Sequence, residues 1–573
     1  MAATIDPMTL EVIRNRIENI ANEVQFSVLR SSHSIVVREA SDASVSIFDI
    51  SGQQIAQAAG IPIHLGVVIP TVARILEAFP ADQMANGDAY LMNDPFGPGP
   101  SHLPDLVVVA PLVVGGRPIA LVVVLTHHQD IGGRSPGGMP PDATEIYQEG
   151  LRLPPLKLAD GGVENPTLIK VIRSNVRVPD AVIGDLRGQL AGCQLGCNRL
   201  TELIDRYTPE VVIAAMSRIL DQSEAMARAV IRSIPDGAYG FTDYLDHDGF
   251  NLDRMVRIQT TVTVADSDIT IDMSGSDMQV AGPTNAVAGA TASGVYYLMK
   301  SLGGPDIPNN AGYYRPIHIV LPPGTVVNAQ EPAAVSSYSL IVFRTVDCLT
   351  GALGQAIPDR MPAASHGHSV GLSLAYGSTI APVGAAGGMG ARPTKDGVDS
   401  ISFGPGNAGN VPLEVLESRL PVLFDYYRLR VDSGGAGRFR GGLGTEEAFT
   451  VRNATVTVSQ RLERHLTAPW GVHGGKSGME SRSALKHPDG PAVQMPTKSR
   501  FPVGPGDTFE FCTTGGGGYG DPLDRSIELV ERDLLNGKVS PERANDLYGV
   551  VVVEGIIDVA RTARRRTDLR AMG

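Results

Sequence analysis

Cysteine is scarce. Cys193, Cys197, Cys348 and Cys512 are the only 4 in 573 residues, too few and too scattered for a disulfide framework. Cys193 and Cys197 are four apart in a helical pattern, and the preferred reading is two small buried side chains. Aromatic residues make up 5% of the chain, which argues against a platform for stacking nucleic-acid bases. Positive charge is outnumbered, giving a formal net charge of -13, and this disfavours general binding to a phosphate backbone. The short basic stretch Arg561–Arg570 is read as a solvated terminus or a partner contact. No apolar run reaches the roughly 20 residues of a membrane span, and the first residues lack a basic segment followed by an apolar signal core. A cytoplasmic protein without nucleic-acid or membrane partners is the expectation.

What the chain has in excess is backbone punctuation. Gly 65 and Pro 41 exceed ordinary usage and imply many turns and loops of fixed geometry. Hydrophobic content of 43% with 19% charged residues fits a folded protein with substantial cores, and the length admits several compact units.

The stretch Leu91–Leu158 organises the rest. Two strongly apolar runs, Leu106–Ala110 and Ala120–Leu125, flank a turn at Gly115–Gly116 and read as neighbouring strands. His102 and Asp105 precede the first run; His127, His128 and Asp130 follow the second. Antiparallel pairing places the entrance of one strand beside the exit of the other, so these five groups gather at one end. His and Asp suit a divalent metal of borderline hardness, and two to four of them leave a position open for water or substrate. The alternative is a polar rim with one hydrogen-bonded core histidine. Adjacent residues in an extended chain face opposite ways, so only one of His127 and His128 should be a metal ligand.

Upstream, Asp6-Pro7 reads as an N-cap and first-turn proline, and Ile13, Ile17, Ile20, Val24 and Val28 mark one stripe of a helix ending near Arg30. Ser34–Val37 and Ser44–Phe48 have strand composition, with a turn at Ser51-Gly52. Asp42 sits in the connection between them and, by itself, reads as a loop or cap aspartate. His64 could line the same pocket or be a structural hydrogen-bonding residue. A helix is expected over VVIPTVARILEAF and a strand at Ala89–Met92. Beyond the hairpin, IGGRSPGGMPP lets backbone approach a ligand closely but lacks the steps of a phosphate loop.

From Asn165 to about Ile234 the period is helical, starting at Pro166 and broken at Pro209. Val256–Val264 and Asp268–Ile271 read as a hairpin, Ala286–Met299 as a helix and Ser526–Leu535 as another. His366 and His368 share a side if extended, with pocket or structural roles preferred over metal ligation. In LRVDSGGAGRFRGGLGTEEAFTV, Arg430, Asp432, Arg438 and Arg440 stand among closely spaced glycines. That segment is either an anion site of arginine forks and amides or a rigid salt-bridged turn. The four consecutive glycines of FCTTGGGGYGDPLDRS suggest close backbone packing and supply no chemistry themselves. The fold class expected is α+β: a multi-domain mixed fold with antiparallel β elements around a metal site and an inserted helical subdomain. Boundaries are placed at 1–160 for the metal-site domain, 161–235 for the helices and 236–573 for a large mixed region with Gly-rich loops.

NDPFGPGPSHLPD, THHQDIGGRSPGGMPP, DSGGAGRFRGGLG and TTGGGGYGDP, in this order, resemble the hydantoinase B/oxoprolinase family over nearly the whole chain. The family includes components of ATP-dependent N-methylhydantoinases, oxoprolinases and caprolactamases, with related acetone or acetophenone carboxylase subunits. The resemblance implies a two-component enzyme, assembled as an α2β2 hetero-oligomer with a hydantoinase A/oxoprolinase-like ATPase of the actin-like superfamily. That partner would use ATP to phosphorylate a small cyclic amide, and this chain would complete the ring opening with water. A ketone carboxylase subunit and a non-catalytic metal-stabilised scaffold are the alternatives.

The resemblance also brings in Asp42, which joins His102, Asp105 and His127 as the expected metal shell. Two imidazoles and two carboxylates balance a divalent ion. Zinc is preferred, with manganese or iron open. His128 and Asp130 are the expected supporting or catalytic groups, because ligating histidines need an acceptor on their other nitrogen and a carboxylate could take the proton of the attacking water.

Overall fold

The computed structural model describes residues 5–368, 371–384 and 386–572. A mixed α+β, multi-domain chain results, in which antiparallel sheets and helical layers surround two large apolar cores. It begins with α1 (Pro7–Ser31), capped by Asp6, whose carboxylate accepts from the Met8 and Thr9 amides. Next comes a short helix, α2 (Ile35–Arg38). The β-branched composition of Ser34–Val37 points to a strand, and the structure differs for a local reason. Asp185 accepts from both the His33 and Ser34 amides at 2.6 and 3.1 Å, and the Ser34 hydroxyl caps Val37 N, so the turn is pinned helical.

The first sheet contains β1 (Ala43–Asp49), β2 (Gln54–Gln57), β3 (Ala89–Met92), β4 (Asp105–Val114), β5 (Arg117–His127), β6 (Leu156–Asp160) and β7 (Val163–Glu164). Their order is β2-β1-β5-β4-β3-β6-β7, with every pairing antiparallel. Runs such as LVVVAPL and IALVVVL are buried at nearly every position. A strand covered on both faces reads as continuous apolar sequence rather than an alternation. α3 (Val68–Ala78) packs against β4. The helical layer is α4 (Pro166–Asn175), α5 (Pro179–Tyr207) and α6 (Pro209–Arg232). α5 lies on α1, β4 and β5. Gly196 makes that approach possible, since a Cβ there would stand 2.7 Å from Val122 Cγ1.

A second sheet, β8 (Gly237–Leu245), β9 (Val256–Ala265), β10 (Asp268–Asp272) and β11 (Ile317–Val320), carries one parallel pairing, between β10 and β11. α7 (Ala288–Gly303), α8 (Ala311–Tyr314) and α9 (Tyr338–Leu353) complete this part; α9 packs on β8, β9 and α7. One apolar core runs through residues between Ile5 and Met361. The other draws Ile35 and Val36 into contact with residues between Leu372 and Phe511. It fills the space between two further sheets, β13-β12-β16-β19 and β14-β15-β20-β17-β18. Their strands are β12 (Leu372–Tyr376), β13 (Thr379–Val383), β14 (Val422–Leu429), β15 (Thr445–Val451), β16 (Val456–Arg461), β17 (Arg482–Lys486), β18 (Val493–Gln494), β19 (Lys498–Val503) and β20 (Thr508–Cys512).

The glycine-rich segments around Gly435, Gly442 and Gly516 are packing elements. They stack backbone on backbone. Gly516 N donates to Gly442 O at 2.9 Å, Gly442 N to Met389 O at 2.8 Å and Gly435 N to Gly516 O at 2.8 Å. A Cβ on Gly516 would lie 2.1 Å from Met389 O, which leaves room for hydrogen alone. Arg440 is engaged by Asp399 at 3.2 Å and Asp533 at 3.4 Å. Arg430 donates to Glu480 O at 2.6 Å, and Asp432 accepts from Ser540 N at 2.8 Å. The rigid salt-bridged reading of this segment is the one observed.

Candidate metal centre

Strand register builds the site. Asp105 of β4 pairs directly with His127 of β5, and Ala43 of β1 pairs with Thr126, so Asp42 is the next residue along, beside His127. Residues opposite each other on neighbouring strands share a face, which sets Asp42, His127 and Asp105 in a row across three strands. The backbone repeats this: His127 N donates to Asp42 O at 3.1 Å. His102 enters from the loop before β4, with its Nε2 3.3 Å from Asp105 Oδ1. Ligand atoms of His102, Asp105 and His127 all lie within 4.8 Å of one another, and all three residues are buried.

Several polar atoms of this cluster have no hydrogen-bond partner, namely His102 Nδ1 and Nε2, Asp105 Oδ1 and His127 Nδ1. Unsatisfied buried polar atoms are costly, and one ligand atom from each of these three residues, all within 4.8 Å of one another, fits a divalent cation. Charge agrees. Burial opposes ionisation of Asp105, yet His102, His64 and His127 outweigh it and hold that carboxyl below the usual carboxylate range. Burial and the nearby Asp105 push Asp42 up to about 8. Burial, then the neighbouring His102, drives His127 down to about 3, leaving it neutral as a ligand must be. Two facing acidic side chains beside a neutral His127 are a set that a cation would stabilise.

The Ser101 hydroxyl donates to Asp105 Oδ2, and the Tyr338 ring packs 4.8 Å from the ring of His102. His64 also belongs here: its Nε2 is 3.8 Å from Asp42 Oδ1, and its Nδ1 meets Ser44 Oγ at 2.8 Å. Asp42, His64, His102, Asp105, His127 and Tyr338 line a cleft at the junction of the two cores. One wall comes from the first sheet; the other comes from Tyr338, Ser373, Ile380, Pro382 and Arg461.

A family model described as hydantoinase B/oxoprolinase matches residues 6–522. The chain belongs to the hydantoinase B/oxoprolinase family. It is 35% identical to the caprolactamase subunit beta of Pseudomonas jessenii, over 98% of this chain and 99% of that one. Identity to a 5-oxoprolinase of Dictyostelium discoideum is 31%, over 90% of this chain but 40% of that longer one. The crystal structure of the ATP-dependent caprolactamase from Pseudomonas jessenii superimposes with a TM-score of 0.91 at 33% identity, covering 99% of this chain and 100% of that chain.

In this hydantoinase B/oxoprolinase family chain, His128 and Asp130 are placed apart from the cleft lining. His128 faces the other side of β5's end, as alternation demands. Its Nε2 meets Gln189 Oε1 at 3.0 Å, while Gln189 Nε2 donates to the carbonyls of Leu106 and Val124. Asp130 accepts from Gly132 N, Gly137 N and Arg177 N at 3.1, 2.9 and 2.7 Å, and pairs with the Arg177 guanidinium at 3.1 Å. This carboxylate curls the IGGRSPGGMPP loop so that Gly137, at φ +89°, and Met139 reach the cleft. His366 and His368 are buried with rings 4.9 Å apart and do not line the cleft. Cys193 and Cys197 are free and buried against the sheet. Tyr338 and Arg461 are the lining residues that sequence reasoning passed over. Tyr338 stands among serines and Arg461 in the charged run SQRLERH, and nothing local marks either.

Proposed function

We propose that this chain is the B-type component of an ATP-dependent cyclic-amide hydrolase, working with a hydantoinase A/oxoprolinase-like ATPase in a hetero-oligomer. The carrying observation is the buried His102–Asp105–His127 cluster with its unsatisfied donor atoms, lining a cleft. Asp42 would complete the shell, in keeping with its place in the row beside His127. A divalent ion held there, zinc by preference, supplies Lewis acidity toward the substrate carbonyl and lowers the pKa of water.

The chain's own residues do the rest. An unstrained amide is a poor electrophile, so activation by phosphoryl transfer in the partner turns the amide oxygen into a leaving group. The apolar wall of Ile61, Ile63, Met139 and Ile380 would seat the ring and exclude bulk water from it. Ser44 fixes Nδ1 of His64; with the proton on Nδ1, Nε2 is left as an acceptor facing Asp42 and the cleft. That atom is placed to take a proton from the attacking water. His128 and Asp130 then serve as positioning residues, one locking the end of β5 through Gln189 and the other shaping the glycine loop.

The test is to purify the chain with its ATPase partner, determine the bound metal and measure ATP turnover and ring opening across a small panel of hydantoins, 5-oxoproline and lactams. Coupled ring opening by the complex, absent from either component alone, is expected. Full-rate hydrolysis by this chain without ATP would overturn the reading. So would incorporation of labelled bicarbonate into product, which would replace hydrolysis by carboxylation.

A further inference from the structure

Arginines are buried in several places in this protein, and nearly all are answered by carboxylates. Arg344 pairs with Asp243 at 3.1 Å, Arg464 with Asp347 at 2.7 Å, Arg525 with Asp533 at 2.7 Å and Arg440 with Asp399 at 3.2 Å. Arg461, the last residue of β16, is only 7% exposed and breaks this pattern. Its guanidinium donates through Nη1 to Met139 O at a long 3.5 Å, and no ion pair joins it to a carboxylate among the described residues. A buried charge without a partner costs several kcal/mol on the order-of-magnitude scale. Folded chains keep such a group where a ligand will supply the opposite charge.

The surroundings narrow that ligand. Arg461 lines the same cleft as His102, Asp105 and His127, and no other lysine or arginine lines it. Glu149 lies near enough to feel its charge, yet Glu149 Oε1 already accepts from Val335 N and Ser336 N, both at 2.8 Å. Burial also pushes Glu149 up to about 8, so at neutral pH it is largely protonated and offers little countercharge. The lining also includes the aliphatic side chains of Ile61, Ile63, Met139 and Ile380. The cleft therefore combines a candidate cation-binding cluster, one fixed cation and apolar surface. Guanidinium forks match the paired oxygens of carboxylates and phosphates.

We propose that Arg461 is the anion clamp of this cleft, taking a phosphoryl or carboxylate oxyanion of the bound ligand while the reacting carbonyl lies at the His102–Asp105–His127 end. The proposal rests on reading the cleft as the substrate site. Under the hydrolase reading, the oxyanion is either the phosphoryl group added by the partner or a carboxylate carried by the ring. Both present the same chemistry to the guanidinium.

The test uses the whole chain, metal-loaded and, in parallel, stripped with chelator, titrated calorimetrically with inorganic phosphate and separately with acetate. Saturable binding of at least one anion is expected, weakened at least tenfold in Arg461→Gln and by a smaller factor in Arg461→Lys, which keeps the charge but loses the fork. Loss for phosphate alone assigns the phosphoryl source, and loss for acetate alone assigns the carboxylate. Circular dichroism and the thermal midpoint verify folding; should Arg461→Gln not fold, an at least threefold loss in Arg461→Lys carries the comparison. Equal affinities in wild type and variant, or no saturable binding of either anion, would overturn the proposal. Because the titration needs no ATPase and no turnover, Arg461-dependent binding without any cyclic-amide hydrolysis would remove the reaction assignment and leave the clamp standing.

Discussion

Two parts of this chain carry family motifs, and they use them in opposite ways. Around His102 and His127, side chains converge and leave hydrogen-bonding capacity unfilled. Around Gly388, Gly442 and Gly516, side chains are absent and backbone amides are matched to carbonyls of neighbouring segments. The first region spends stability on atoms held ready for something else, whereas the second is closed to any visitor. Motif density alone does not separate chemistry from packing; the presence or absence of spare polar atoms does.

The sharpest way to break this contrast is inside the glycine stack. Gly516→Ala sets a methyl 2.1 Å from a backbone oxygen that has no room to yield, so a loss above about 4 kcal/mol, or no soluble protein, is expected. Soluble yield and thermal midpoint measure it, and a midpoint near wild type would remove the packing account. In the metal region the dominant effect should be chemical. Asp105→Asn should weaken metal retention by more than about 100-fold, read by elemental analysis, and abolish turnover with the partner while the glycine stack and the complex persist. Should assembly fail in step with activity, the scaffold alternative gains.

Asp130→Asn divides the same region more finely. It breaks the half-buried pairing with Arg177 and should cost roughly 1–2 kcal/mol while leaving metal retention as in wild type. Metal loss in that variant would instead put Asp130 in the coordination shell. Chelator should lower the midpoint of the wild type, with a linkage of about 2.7 kcal/mol when metal stands at 100 times its dissociation constant. Asp105→Asn should show no such response.

The smallest expected effect concerns Glu149. Burial raises its folded-state pKa to about 8, well above an unfolded glutamate. The folded state therefore holds the proton more tightly. That contribution is fully present below the unfolded pKa and is lost as pH rises through about 8. Glu149→Gln keeps an acceptor for Val335 N and Ser336 N and cannot ionise, so its stability relative to wild type should rise steadily from pH 5 to pH 8. Parallel denaturation curves at the two pH values decide this.

Much of the metal region was legible because its geometry is local. Two apolar runs with a Gly-Gly turn specify a hairpin, and a hairpin brings Asp105 opposite His127; alternation then sends His128 to the other face. Asp42 was not legible from spacing, because its place depends on β1 choosing β5 as a neighbour, a pairing that the hairpin pattern leaves open. The far wall was beyond reach altogether. Tyr338 opens a buried helix and Arg461 ends a strand of the second core, so only the meeting of two cores makes them neighbours. Residues 161–235 show a helical period, but period alone does not say what a helix lies against. α5 in fact shares its apolar core with β4 and β5. At Ser34–Val37 a distant carboxylate, Asp185, overrode local propensity.

The row of Asp42, His127 and Asp105 crosses the β4–β5 hairpin and β1, which is distant in sequence, and a slip of one residue would turn its members outward. An ion held by all four groups would require β1 to lie against the hairpin in this alignment, whereas His102, Asp105 and His127 come from the hairpin and the loop before it. The tightness of metal retention would then report whether this sheet has been assembled in register.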